Sequence, residues 1–328
     1  MEQIEKFAIR RITKSDDKDY EAALKIYNDT TSVSIKTDAD SITFWLKKEE
    51  NPLNKEENHR FKLLVFALYL NDDVVGFAMM VYIKRTHIIT LDYIELSEQY
   101  RTDNAIFSTY INLLEIFLRE NGYNRTYIVN ETSNKYGGED IDEESRFFKK
   151  ISFLENFGRI EAKYCTPPIG ENNYESNSEA FLYIKSNDKV KRISKKVYLK
   201  IVESIYYDYY HVWHVAFLSF EKFEYYKHNL DKSLNSIKRN IKFFRLLSKS
   251  FKVNYSPDVL FTPKNKMKVI IFLGAFILLA CPLFIWFYQY ILSLIGIKID
   301  SVNAIIGGVL SSFITAISTI LMTKEKSW

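Results

Sequence analysis

Residues 95–106, ELSEQYRTDNAI, hold the side chains best placed for chemistry, between an apolar strand and an amphipathic helix. Glu95 ends the apolar run, where a carboxylate is positioned as a general base, although strand-end carboxylates are common in any sheet. Arg101 is a cation at the loop that opens the helix. Such a loop can hold an anion, because the first helical amides have no intrahelical partner and the helix dipole adds to their pull. An anion-binding loop carries glycines that let the anion approach the backbone. This one carries Asp103, Asn104 and Ile106.

Two other groups of residues invite a chemical reading. His211 and His214 lie three apart and could share a helical face as metal ligands. Without a nearby carboxylate or thiol cluster they read as packing, and no metal is expected. Residues 233–252 read as a helix with Lys238, Arg239, Lys242, Arg245, Lys249 and Lys252 beside Phe243, Phe244 and Phe251. Together with Lys189, Lys191, Arg192, Lys195 and Lys196 they make a basic belt. That belt suits anionic lipid headgroups, or a nucleotide or short single-stranded oligonucleotide with aromatics for base stacking.

These residues need elements to hold them. FAIRRIT (7–13) alternates like a strand, and SDDKDYEAALKIYND has helical spacing. FKLLVFALYL (61–70) and VVGFAMMVYI (74–83) flank an NDD turn and read as a hairpin. HIITLDYIEL (87–96) is a third strand, residues 104–121 an amphipathic helix stopped by Gly122, and TYIVNE (126–131) a further strand. A short helix at 145–153 and strands at 159–167 and 179–185 follow. Residues 194–230 read as one long helix with aromatics on nearly every face, which must be buried against a partner helix or another subunit.

The 328 residues include 45 basic and 41 acidic, a formal charge of +4 too mild to argue for nucleic acid by itself. Two cysteines, Cys165 and Cys281, form no disulfide framework and suit a reducing compartment. The N-terminal stretch has no apolar segment of a secretory signal. Residues 269–297 and 301–323 are uncharged, and each exceeds the roughly 20 residues that cross a hydrocarbon core. They predict a transmembrane hairpin. Lys264, Lys266 and Lys268 precede it and Lys324 and Lys326 follow it, which puts both termini in the cytoplasm of an inner-membrane protein. On the second helix Ala304, Gly307, Gly308, Ser311, Ser312, Thr315, Ser318 and Thr319 share an arc of roughly 140°. Small residues allow close helix packing, and Gly307, Ser311, Thr315 and Ser318 could instead line a pore.

The order of elements over residues 7–185 resembles the GNAT N-acetyltransferase superfamily. VVGFAMM is similar to the family's VGF strand, LDYIELSEQYR to its strand leading into the acetyl-CoA loop, and SRFFKKISFLENFGRIEAKY to its helix-then-strand segment. The resemblance implies an α+β mixed sheet with flanking helices and acetyl-CoA held by a glycine turn after a Gln or Arg. Arg101 fills the first of these positions. Asn104 and Ile106 stand at the glycines, with Ile106 expected where the phosphate would sit and Asp103 adding negative charge. Phe147 and Phe148 stand where the family's Tyr acid is frequent, with Tyr136 the nearest substitute. Glu95 remains the candidate base if the chain is an enzyme.

The expected organisation is a GNAT-like domain at 1–186, an aromatic and basic helical connector at 187–262, and the transmembrane hairpin at 263–328. The layout resembles that of bacterial anti-phage membrane effectors, which implies a nucleotide or oligonucleotide signal. The expectation is a ligand-controlled homo-oligomeric channel or pore, with Arg101, Lys191, Arg192, Lys195, Lys196, Lys238, Arg239 and Lys242 binding the ligand and no cofactor. The alternative is a membrane-anchored N-acetyltransferase using acetyl-CoA.

Overall fold

The computed structural model describes residues 6–31, 36–50, 60–133, 150–167, 178–243 and 249–256. The predicted hairpin, with Gly307, Ser311, Thr315 and Ser318, lies outside them, as do Tyr136, Phe147, Phe148 and the side chain of Lys242. Among the described residues no helix is long and apolar enough to cross a membrane. The described residues all fall within one compact unit, Met1–Asp258.

The β-hairpin predicted at 61–83 forms as β2 (Phe61–Leu70) and β3 (Asp73–Ile83), with β1 (Phe7–Ile12) antiparallel to β2 and β4 (Ile88–Leu96) antiparallel to β3. Helix α3 (Asn104–Glu120) then crosses to β5 (Tyr127–Ser133), which runs parallel to β4. β8 (Ser178–Lys185) pairs antiparallel with β5 and also with two short strands, β6 (Gly158–Ile160) and β7 (Tyr164–Thr166). The single strand expected at 159–167 is thus broken in two. The predicted helices appear as α1 (Lys18–Thr30) and as α4, described at 150–154. The sequence reading did not include α2 (Ala39–Glu50). The strand order and pairings make a mixed sheet with flanking helices.

The sheet does not stop at residue 186. β9 (Arg192–Ser194) and β10 (Ser250–Asn254) extend it in the order β1-β2-β3-β4-β5-β8-β6-β10-β9. Residues 187–256 therefore belong to this unit and are no separate connector. The helix expected at 194–230 is α5 (Lys195–Glu203), a π-helix (Ser204–Tyr210) and α6 (His211–Val215), followed by a break before α7 (Phe220–Phe243). Phe251 and Lys252, read as helical, lie in β10.

Period-2 alternation sends the sheet's apolar side chains to two faces. Leu64, Phe66, Ala78, Met80 and Ile94 meet Ile106, Phe107, Tyr110 and Leu114 of α3. Leu63, Val65, Phe77, Met79 and Val129 meet α1, α2 and the helices after β9. Five tyrosines of 194–230 are buried here, Tyr198, Tyr206, Tyr209, Tyr210 and Tyr226, together with Trp213. Trp213 packs 5.7 Å from Trp45 and 6.1 Å from Phe61, ring centre to ring centre. Much of this aromatic segment is thus buried within the chain, while Val215, Phe217, Phe220 and Tyr225 remain exposed.

Candidate functional site

The loop entering α3 is the first place to test for anion binding. Asp103 is the N-cap of α3, and its Oδ1 accepts from the amides of Ala105 at 2.8 Å and Ile106 at 3.2 Å. The amides that would meet a phosphate are thus satisfied by a carboxylate of the chain itself. The Ile106 side chain does not stand over the loop, as expected from its position. It is 8% exposed and packs in the core beneath α3, so the obstacle is charge and capping, with no steric block from Ile106. Arg101 is half-buried just before the cap, after the 3-10 turn at Glu98–Tyr100.

A second constellation lies where β4 and β5 part. Their pairing covers only Ile88–Thr90 against Tyr127–Val129, while β4 continues to Leu96 and β5 to Ser133. β4 also bulges, since Met79 pairs with Tyr93 and Met80 with Leu91, leaving Asp92 as the extra residue. A bulge re-aims a side chain, and here Asp92 turns toward the π-helix, where Tyr209 Oη donates to its Oδ2 at 2.5 Å. Across the gap, Tyr210 Oη donates to Glu131 Oε1 at 3.4 Å. The Tyr164 hydroxyl adjoins the same carboxyl, but neither it nor Glu131 Oε2 completes a hydrogen bond of ordinary geometry within the chain. Asn130 Nδ2 spans the gap to the Leu91 carbonyl at 3.4 Å.

The electrostatics follow from this enclosure. Burial pushes the Asp92 carboxyl up to about 6, against the opposing pull of the Tyr209 hydrogen bond. Burial pushes Glu131 up to about 8; the hydroxyls of Tyr164 and Tyr210 oppose the shift, and the neighbouring Asp92 charge adds to it. Two carboxyls raised toward neutrality beside a bulged central strand have the protonation behaviour of general acids and bases. Glu95, the predicted base, is buried on β4 and its charge is felt by Tyr27 on the same face.

The π-helix makes this arrangement possible. Its wider turn aims three consecutive residues at the sheet: Asp208 meets Arg85 at 2.7 Å and Arg60 at 3.6 Å, while Tyr209 and Tyr210 reach the two carboxyls. Such widened turns are frequent at functional sites. The histidines are packing groups: His211 meets Phe223 edge-on and His214 stacks on Tyr226 at 4.3 Å, with burial lowering His214 to about 4.

The predicted basic belt is only partly assembled. Lys195 is buried at the start of α5, Arg192 Nε donates to Ser250 Oγ at 2.8 Å, and Lys238 pairs with Glu203 at 2.8 Å. Lys191, Lys196 and Arg239 are exposed. Asp92, Glu131 and their tyrosines escaped the sequence reading. The one local signal was an acidic residue inside the apolar run ITLDYI.

No protein-family model and no curated protein matches the chain. Solved structures similar to it include a protein assigned to the GNAT acetyltransferase family from Bacteroides thetaiotaomicron, at 14% identity and TM-score 0.42, covering 61% of this chain and 98% of that one. An acetyltransferase of the GNAT family from Streptococcus pneumoniae matches at 15% identity and TM-score 0.37, covering 55% and 99%. An IAA acetyltransferase from Bacillus cereus matches at 13% and 0.34, covering 55% and 99%.

Proposed function

We propose that the chain is a ligand-controlled membrane effector whose GNAT-like head has lost acetyl-CoA binding. The observation that carries this reading is the Asp103 cap, which fills the anion site at the start of α3 with a carboxylate. The two uncharged runs at 269–297 and 301–323 supply an inner-membrane hairpin with both flanks cytoplasmic. Homo-oligomeric copies form a channel or pore lined by Gly307, Ser311, Thr315 and Ser318, a device suited to anti-phage defence. Control requires the ligand to favour one conformation over the other. Calorimetry of the full chain in detergent should give no acetyl-CoA binding, and the protein in liposomes should pass ions. Ser311→Leu and Thr315→Leu should reduce that flux; unchanged flux reduces the polar arc to packing.

A second reading, a membrane-anchored N-acetyltransferase, is favoured by Asp92 and Glu131, whose raised pKa values suit proton transfer near neutral pH. Acetyl-CoA turnover abolished by Glu95→Gln or Glu131→Gln would establish it over the first.

A further inference from the structure

We propose that a cleft at the far end of the sheet binds a nucleotide, a ligand carrying both a phosphate and an aromatic base. Its signalling role rests on the ligand control proposed above, whereas the binding stands by itself. The cleft measures about 470 Å³ and lies between β6, β8, β10, α5 and α7. That volume falls within the roughly 300–1,000 Å³ of small-molecule sites.

Lys195 is the decisive residue. It is 9% exposed, and its Nζ donates to the Ile241 carbonyl at 3.4 Å and lies 5.6 Å from the centre of the Phe251 ring. No carboxylate pairs with it among the described residues. Other deeply set cations do have acids: Lys185 has Glu115 and Glu155, and Arg125 has Glu115. A buried charge is costly unless it is paired, so Lys195 is poised for an anion from outside the chain.

The surrounding walls specify more than an anion. Lys163, at the turn between β6 and β7, adds a second ammonium, 3.5 Å from Ser236 Oγ, and outweighs the exposed Glu161 at the rim. The Arg159 guanidinium lies 4.7 Å over the Phe181 ring, presenting a flat cationic and aromatic wall. Phe251, packed under Lys195, closes the floor of the cleft, and Asn240 offers both a donor and an acceptor. A phosphate alone would leave these surfaces bare, whereas a base can stack on them while its phosphate meets Lys195 and Lys163.

The test is calorimetry of the full chain in detergent with AMP, GMP, CMP and UMP, each compared with its nucleoside, with inorganic phosphate and with glycerol 3-phosphate. At least one nucleotide should bind about tenfold or more tighter than the phosphates alone, and than its nucleoside. Lys195→Met should weaken that binding by about tenfold to a hundredfold without lowering the melting temperature. Lys163→Gln, at an exposed residue, should weaken it in the same direction, and Phe181→Leu should weaken nucleotide but not phosphate. Equal binding of glycerol 3-phosphate would reassign the cleft to lipid headgroups and overturn the proposal. Absence of nucleotide binding, or full affinity in Lys195→Met, would overturn it as well. Liposome flux separates the two readings: nucleotide binding with flux that ignores it sinks ligand control and leaves the cleft standing. Nucleotide-dependent flux that survives Lys195→Met puts the signal elsewhere.

Discussion

Tyr209 donates a 2.5 Å hydrogen bond to Asp92 across a sequence separation of 117 residues. It ties the π-helix to the bulge of the central strand and keeps a half-buried carboxyl partnered. Tyr209→Phe should remove the bond while keeping the ring, raising the Asp92 pKa above about 6. The expected loss is about 1–3 kcal/mol, read by urea unfolding. In an Asp92→Asn background the same substitution should cost less, because the two residues act as one unit.

The pH dependence of stability has a defined sign. Asp92 and Glu131 rise from 3.8 and 4.5 to about 6 and about 8. Between those limits the folded chain holds more protons than the unfolded one, so their contribution is complete below about pH 4 and is lost as pH rises through 6 and 8. His214 works oppositely: lowered from 6.5 to about 4, it contributes stability that is lost as pH falls across that interval. His211 is lowered from 6.5 as well, and by about pH 7.5 both histidines are largely neutral in either state, so Glu131, the group raised highest, sets most of the remaining slope. Glu131→Gln should therefore flatten the decline between about pH 7 and 8, where one proton is worth up to about 1.4 kcal/mol per pH unit. Urea midpoints across that range measure it, and an undiminished slope would refute the assignment.

Asp103→Ala should lower stability by about 1 kcal/mol through loss of the cap and free the Ala105 and Ile106 amides. If the cap is what excludes phosphate, this variant should bind pyrophosphate or acetyl-CoA measurably better than the parent chain. Calorimetry on the two proteins side by side decides it.

Gly76 lies where β3 passes β4, and a Cβ there would stand 2.5 Å from the Glu95 carbonyl oxygen and 2.7 Å from Leu96 Cδ2. Gly76→Ala must push the two central strands apart, at an expected cost of about 1–3 kcal/mol. A thermal melt of the variant should show the drop; an unchanged midpoint would mean the strands separate freely.

The sequence by itself determined the elements whose residues answer to their own neighbours. The β2–β3 hairpin follows from two apolar runs around Asn71 and Asp72, and Asn71 takes the left-handed backbone such a turn needs, at φ 58°. Helix α3 follows from its apolar stripe, and Asp103 was legible as unfavourable to a phosphate because a cap acts within one turn.

Only the tertiary structure decided what lies far apart in the chain. Helical spacing placed the tyrosines of 198–226 on every face but could not say that Tyr198, Tyr206, Tyr209, Tyr210 and Tyr226 would be buried within the chain itself. Phe251 fitted a helical pattern of basic and apolar residues, yet β6 and β10 pair at Ile160 and Val253 while β9 and β10 pair at Ile193 and Phe251. Strand formation there is fixed by neighbours and not by local preference. The raised carboxyls have the same origin. Asp92 and Glu131 are raised by burial, and their hydroxyl partners Tyr164, Tyr209 and Tyr210 arrive from another strand and from a π-helix that also meets Arg60 and Arg85 through Asp208. Desolvation is a property of the packed interior, so the site's chemistry exists only once these distant segments close over it.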